Sequence, residues 1–164
     1  MATEQELRKP FLEFAGPNGA YYADTFLKIQ KNVLGRWHVN KAAMLGSFVW
    51  AALRGNWLLF VIGFVIDLIV AVNLALVFKY SKAAADNADK DFLVERYEGW
   101  SQSSLIGAIL VFFLGRLLFG WIADRFYARQ YERWRVDHTV NNGVEKSRLV
   151  LAGLIVLLVV PLML

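Results

Sequence analysis

The segment Trp57–Phe78, WLLFVIGFVIDLIVAVNLALVF, decides the fold class. It contains 22 residues, and a single one of them, Asp67, is charged. A bilayer core of about 30 Å requires roughly 20 apolar residues in a helix. The segment shows no alternation with period two, which favours a helix over a strand. The sequence therefore predicts a membrane-spanning helix at this position.

Two further apolar runs extend this interpretation to the whole chain. Leu105–Ile122 has 18 residues with one charge, Arg116, and Leu149–Leu164 has 16 residues with none. We therefore expect an all-α integral membrane protein with three transmembrane helices, at 57–78, 105–122 and 149–164. A chain of 164 residues is expected to form one domain. Residues 1–56 form its cytoplasmic and interfacial segment in this interpretation.

The composition and the motif content exclude several classes of site. The chain is 57% hydrophobic and has no cysteine, which excludes disulfides, zinc–thiolate sites and thiol nucleophiles. No Gly-rich phosphate loop, Ser–His–Asp set or paired-carboxylate site is present. His38 and His138 lie outside the predicted spans, so a helix histidine for a membrane haem is missing. We predict no catalytic residue, metal site or cofactor.

Lysine and arginine are distributed unevenly along the chain. Seven precede the first predicted span, four lie in the connection 79–104 beside five acids, and six lie in the connection 123–148. Positive charge favours the cytoplasmic side. We therefore expect a multi-pass protein of the bacterial inner membrane with a cytoplasmic N-terminus. The early acids Glu4, Glu6 and Glu13 argue against a secretory signal peptide.

Two helices are predicted before the first span. Residues 18–34 place Tyr22, Phe26, Ile29 and Val33 on one stripe, which is typical of an amphipathic helix. We expect this helix to pack on the membrane surface or on the next segment, with a docking face for a partner as the alternative. Residues 42–53 are apolar but too short to span. We expect a short interfacial or re-entrant helix there, with a hairpin into the first span as the alternative.

The polar segment 84–99 is expected to be an external loop, with a short helix at 91–97. Asp86, Asp89 and Asp91 are acidic in the manner of a calcium loop, but the central glycine and the terminal glutamate of that loop are missing. A solvated acidic loop is the better interpretation.

The second predicted span continues into a basic and aromatic helix at 123–136. Tyr127, Tyr131 and Trp134 share one face, spaced by four and three residues, while arginines populate the other faces. Aromatic rings at headgroup level beside basic side chains are typical of an interfacial helix. We predict bound anionic lipids and no nucleic acid. The expected contacts to lipid or to a partner are Tyr127, Arg129, Tyr131, Arg133, Trp134, Tyr22 and Phe26.

Asp67 and Arg116 are charged residues within the first two predicted spans. A charge near the bilayer centre costs at least roughly 2.5–3.5 kcal/mol, so such groups need a partner or a route to water. The two spans run antiparallel, and a pair between the two side chains is geometrically possible. Three roles stay open: a structural lock, contact with a partner subunit, and an ion or proton path.

The N-terminal half combines a Tyr/Phe helix, a Trp–Asn–Ala segment and an apolar stretch that ends in Trp and a basic residue: Tyr21, Tyr22, Phe26, Lys28, Ile29, then residues 36–43, then Trp50 and Arg54. A small-residue helix that exits into a Tyr and basic tail follows at Gly120, Ala123, Tyr127 and Arg133. Over residues 20–135 this pattern resembles an uncharacterised bacterial family of small integral membrane proteins, a domain of unknown function. The resemblance implies a topology and supplies no activity.

These observations favour a non-catalytic accessory or scaffolding subunit of a larger bacterial inner-membrane complex. Its partners would be other integral membrane subunits and anionic lipids. The alternative is the membrane domain of a transporter permease, with further spans missing from this chain. A lipid-modifying enzyme has no nucleophile or metal cluster behind it in the sequence.

Overall fold

The structure, a computed structural model, describes residues 4–16, 19–35 and 37–159. These residues form six helices: α1 (Glu4–Ala15), α2 (Gly19–Gln30), α3 (Lys41–Leu53), α4 (Trp57–Asp86), α5 (Asp91–Val136) and α6 (Ser147–Val159). No strand occurs within these ranges. The expected all-α fold is therefore confirmed.

The helices α4 and α5 pair along much of their length as a hairpin, joined by residues 87–90. At 1.5 Å per residue, the 30 residues of α4 extend about 45 Å and the 46 residues of α5 about 69 Å. The Asn56 side chain caps α4 by accepting a hydrogen bond from the Leu59 amide at 3.1 Å. Both helices are long and apolar enough to cross a membrane.

The hairpin differs from the expected external loop at 84–99. Helix α4 continues to Asp86 and α5 begins at Asp91, so the connection is four residues long. The sequence Ala83–Ala85 and the Glu, Leu and Arg residues after Asp91 have high helix propensity, and no proline interrupts them. Polarity indicated solvent exposure correctly, but it does not distinguish a loop from a solvated helix.

The third expected span is represented by α6. Its 13 described residues are apolar but extend only about 20 Å, which is less than a bilayer core. Residues 160–164, which the expected span includes, lie outside the described part of the chain. Within that part, α6 packs against α3.

Helix α3 is broken in the middle and packs closely on both long helices. Ser47 has φ 43° and ψ −127°, a conformation that is strained for a non-glycine residue. Gly63 on α4 and Gly120 on α5 allow the approach: a Cβ on Gly63 would lie 2.7 Å from the Phe48 amide nitrogen, and one on Gly120 would lie 2.8 Å from the Met44 Cβ. The expected short helix at 42–53 is therefore two half-helices wedged against the hairpin.

The helices α1 and α2 cover the C-terminal third of α5. The ring of Phe14 lies 4.9 Å from that of Tyr127, 5.3 Å from that of Tyr131 and 5.5 Å from that of Trp134, measured between centroids. Phe26 of α2 packs on two of these rings, those of Tyr127 and Tyr131, at 5.6 and 5.7 Å between centroids. We call α1, α2, α3 and residues 119–136 of α5 the base, and residues 79–102, at the other end of the hairpin, the tip.

Candidate functional site

A buried carboxylate lies at the centre of the base. Asp124 on α5 is 1% exposed and contacts three side chains, one on α2 and two in the connection before α3. The Tyr21 hydroxyl donates to its Oδ2 at 2.8 Å, and the Asn40 amide donates to its Oδ1 at 2.6 Å. His38 Nε2 lies 3.0 Å from Oδ2 and makes the third side-chain contact of this carboxylate.

Asn40 connects this carboxylate to the start of α3. Its Oδ1 accepts from the Ala43 amide at 2.9 Å, which is the N-cap of α3. The backbone N–H of Asn40 donates to the Gly120 carbonyl on α5 at 2.9 Å. Its Nδ2 also lies 3.4 Å from the Tyr22 hydroxyl. One side chain thus fixes α3 against α2 and α5.

Arg54 supplies the second buried charge of the base and is 4% exposed. Its Nη1 donates to the Tyr127 hydroxyl at 2.9 Å and to the Ala15 carbonyl at 3.4 Å. The guanidinium carbon lies 4.2 Å from the centroid of the Tyr22 ring and 4.8 Å from that of Tyr127. The cation is therefore held by aromatic faces as well as by hydrogen bonds, as expected for a desolvated arginine.

These contacts make a joint in which every helix of the base meets a buried polar group. A cleft of about 580 Å³ opens beside the joint and is lined by Tyr21, His38, Lys41 and their neighbours. The joint fixes α1, α2 and α3 to α5 through directional bonds, which specify one arrangement more strictly than apolar contact does. Sequence reasoning did not identify Asp124, Asn40 or Tyr21. One signal was present: Asp124 is the single acid between Gly115 and Tyr131.

Burial changes the acidity of the tyrosines in this joint. Desolvation raises the pKa of Tyr22 and of Tyr127 above the ordinary value of 10.0, although the nearby Arg54 opposes the shift in both. Desolvation and the neighbouring Asp124 carboxylate raise the pKa of Tyr21 well above its usual range. Desolvation likewise raises the pKa of Tyr131.

We expect the base to lose stability as the pH rises above 10. Below pH 10 the tyrosines are protonated in both the folded and the unfolded chain. Above it, the unfolded chain releases these protons first, so it binds fewer protons than the folded chain and the free energy of unfolding falls. Tyrosinate absorbance of the folded chain should lag behind that of the denatured chain during an alkaline titration. Coincident curves would contradict the burial described here.

The structure places the expected lipid and partner contacts in two different environments. Tyr22, Phe26, Tyr127, Tyr131 and Trp134 are 0–5% exposed and pack within the chain's own core. The expectation that these five rings meet lipid headgroups or a partner is therefore wrong. The reason is that α1, a helix that was not predicted from the sequence, covers the aromatic face. Arg129 and Arg133, from the same set, are exposed.

Asp67 and Arg116 lie in contact within the apolar stretches of α4 and α5. Arg116 Nη2 is 2.8 Å from Asp67 Oδ1, and Arg116 Nη1 donates to the Leu45 carbonyl at 3.1 Å, two residues before the break in α3. Both side chains are less than one-fifth exposed. Asp67 Oδ2 and Arg116 Nε are buried and have no hydrogen-bond partner among the described residues. The pair thus joins α3, α4 and α5 while retaining unused polar capacity.

The described residues contain no cluster of three or more His, Asp or Glu side chains that could hold a metal ion. No family model matches the chain, and no curated protein or solved structure is similar to it. The resemblance noted from the sequence stays a prediction.

Proposed function

We propose that the protein is a non-catalytic scaffolding subunit of a larger bacterial inner-membrane complex. The helices α4 and α5 cross the membrane, α6 begins a third span, and α3 lies at the inner interface as a re-entrant element. The base is cytoplasmic, because the segments that form it carry the larger share of lysine and arginine.

The observation that carries the proposal is the continuity of α5. This single helix of about 69 Å connects the locked base to the tip. Along it, large apolar side chains stay uncovered by the chain itself: Phe113 is 66% exposed and Leu114 is 63% exposed. In a bilayer such side chains face either lipid or the helices of other subunits, and the scaffold proposal assigns part of this surface to other subunits.

The tip offers a separate contact outside the apolar stretch. Phe92 is 65% exposed, and the Arg96 guanidinium lies 4.7 Å from its ring centroid. Exposed aromatic and arginine side chains are enriched at protein interfaces. Helix α5 thus presents a contact within the membrane and a second contact at the tip.

The proposal is tested by placing a photo-crosslinking phenylalanine analogue at three positions of the native chain. Positions 113 and 92 are exposed, whereas Phe119 is fully buried and serves as the matched control. We expect crosslinks from 113 or 92 to a second membrane protein, which also copurifies in mild detergent at fixed stoichiometry. Recovery of the chain alone, or crosslinked only to itself, contradicts the proposal.

One observation favours the second candidate, a membrane domain of a transporter. Transporter sites are often built from broken helices beside polar groups at the membrane midplane. Here the break at Ser47 lies beside the incompletely bonded Asp67–Arg116 pair. If this function is correct, Asp67→Asn abolishes transport while leaving assembly intact. Loss of assembly, or unchanged transport, contradicts it.

A further inference from the structure

A cleft of about 360 Å³ lies between the start of α4 and the polar part of α5. Its walls differ in character from end to end. Trp57, Leu58 and Phe126 form an apolar portion, whereas Arg129, Arg133 and Asn141 form a polar portion. Leu58 is 59% exposed, so the apolar portion opens outward rather than into the core.

The two arginines are placed to act together. Arg129 and Arg133 are four residues apart on α5, so they share one face of the helix. Both are exposed, and the Arg129 guanidinium carbon lies 5.4 Å from the centroid of the Phe126 ring. No Asp or Glu is among the described residues that line the cleft. The neighbouring groove on the other side of α5 differs, because Glu132 lines it beside Arg125 and Arg129.

Gln130 is a further polar residue of the cleft, and part of its hydrogen-bonding capacity is unused. Gln130 is 8% exposed, and its Nε2 donates to the Arg54 carbonyl at 3.0 Å and to the Asn141 carbonyl at 2.6 Å. These two acceptors fix the orientation of the amide, because the flipped form would place Gln130 Oε1 against both carbonyl oxygens. Gln130 Oε1 is left without a donor among the described residues. Because this oxygen is itself buried, it does not face the open cleft, and Gln130 contributes by fixing the wall of the cleft through its two donated hydrogen bonds.

The position of the cleft relative to the apolar stretch of α4 indicates that an anionic ligand there would be a lipid headgroup. Trp57 begins the apolar run of α4 and lines the same cleft as Arg129, so the two lie at one level. Arg133 is one turn, about 6 Å, farther from the apolar stretch. The headgroup layer of a bilayer has a similar thickness of about 5–7 Å per side. An apolar portion followed by two cations over that distance matches the order of glycerol backbone and phosphate in a phospholipid.

We propose that this cleft binds the headgroup of an anionic glycerophospholipid, with the phosphate between Arg129 and Arg133. Phosphatidylglycerol has this chemistry and is the probe of choice. The site rests on the membrane crossing of α4 and α5 in the proposed function, but it does not depend on the scaffold role, since it uses only residues of this chain at the base of the hairpin.

The test is native mass spectrometry of the detergent-solubilised full chain, titrated with phosphatidylglycerol and with phosphatidylcholine of equal chain length. We expect preferential retention of phosphatidylglycerol. A basic side chain near an anionic lipid surface contributes about 1 kcal/mol, so Arg129→Gln and Arg133→Gln should each weaken binding about fivefold. Arg133→Lys should retain most of the affinity because it keeps the charge.

Arg135→Gln is the matched control. Arg135 is exposed on the same helix but does not line the cleft, and it pairs with Glu132 at 3.4 Å. Its removal should leave lipid binding unchanged. An equal loss in Arg135→Gln, equal retention of phosphatidylcholine, or equally tight binding of soluble glycerol phosphate would each overturn the proposal. Since all three arginines are exposed, unchanged melting temperatures should accompany each variant.

Discussion

Asp124→Ala is expected to lower the free energy of unfolding by about 3–5 kcal/mol, because it removes the acceptor of three donors from a buried site. Tyr21, His38 and Asn40 would keep their hydrogen-bond donors facing an empty space. The Asn40 amide loses most, since that residue is 2% exposed and has no access to water.

The measurement is equilibrium unfolding of the full chain in mixed micelles, with two further variants. Glu98→Ala removes an exposed acid from the same helix and should change the unfolding free energy by less than about 0.5 kcal/mol. Asp124→Asn keeps the volume but offers a single acceptor oxygen, so an intermediate loss is expected. If Asp124→Ala were as mild as Glu98→Ala, the base would not depend on the buried joint.

The joint could not be read from the sequence because its members are distant along the chain. Asp124 is separated from Tyr21 by 103 residues, from His38 by 86 and from Asn40 by 84. Periodicity reports which residues share a helix face, but not which element covers that face. The sequence therefore placed His38 only outside the predicted spans, although its ring contacts the buried Asp124.

The same limit explains what was right and wrong about the aromatic face. The spacing of Tyr127, Tyr131 and Trp134 correctly placed three rings on one side of α5. Their assignment to lipid failed because Phe11 and Phe14 of α1 cover them. The N-terminal segment has only moderate apolar content and contains Pro10, so it gave no helix signal that would have suggested this cover. Long apolar runs, by contrast, are local in sequence, and α4 and α5 were predicted from them.

Charged residues in apolar runs can also be recognised locally in the sequence. The Asp67–Arg116 pair was noticed in this way, and breaking it is the second change for which we expect a large effect. With α4 and α5 in a bilayer as proposed, Arg116→Leu leaves Asp67 without its cation. We expect a loss of about 3–5 kcal/mol in the free energy of unfolding, since removal of one partner leaves an uncompensated buried charge. The Leu45 carbonyl, in the half of α3 that precedes the break at Ser47, loses its donor as well.

The double variant Asp67→Leu, Arg116→Leu separates a structural lock from a functional site. Replacing both members of a buried pair by apolar residues is often neutral or stabilising, so we expect the double variant to recover to within about 1 kcal/mol of the natural chain. Leu114→Ala, on the exposed face of the same helix, is the control for side-chain loss. An additive loss in the double variant would contradict the pairing. If the double variant folds and keeps its crosslinks at position 113, the pair is a structural lock between α3, α4 and α5. An ion path would be lost with both charges, whereas a scaffold would keep its contacts.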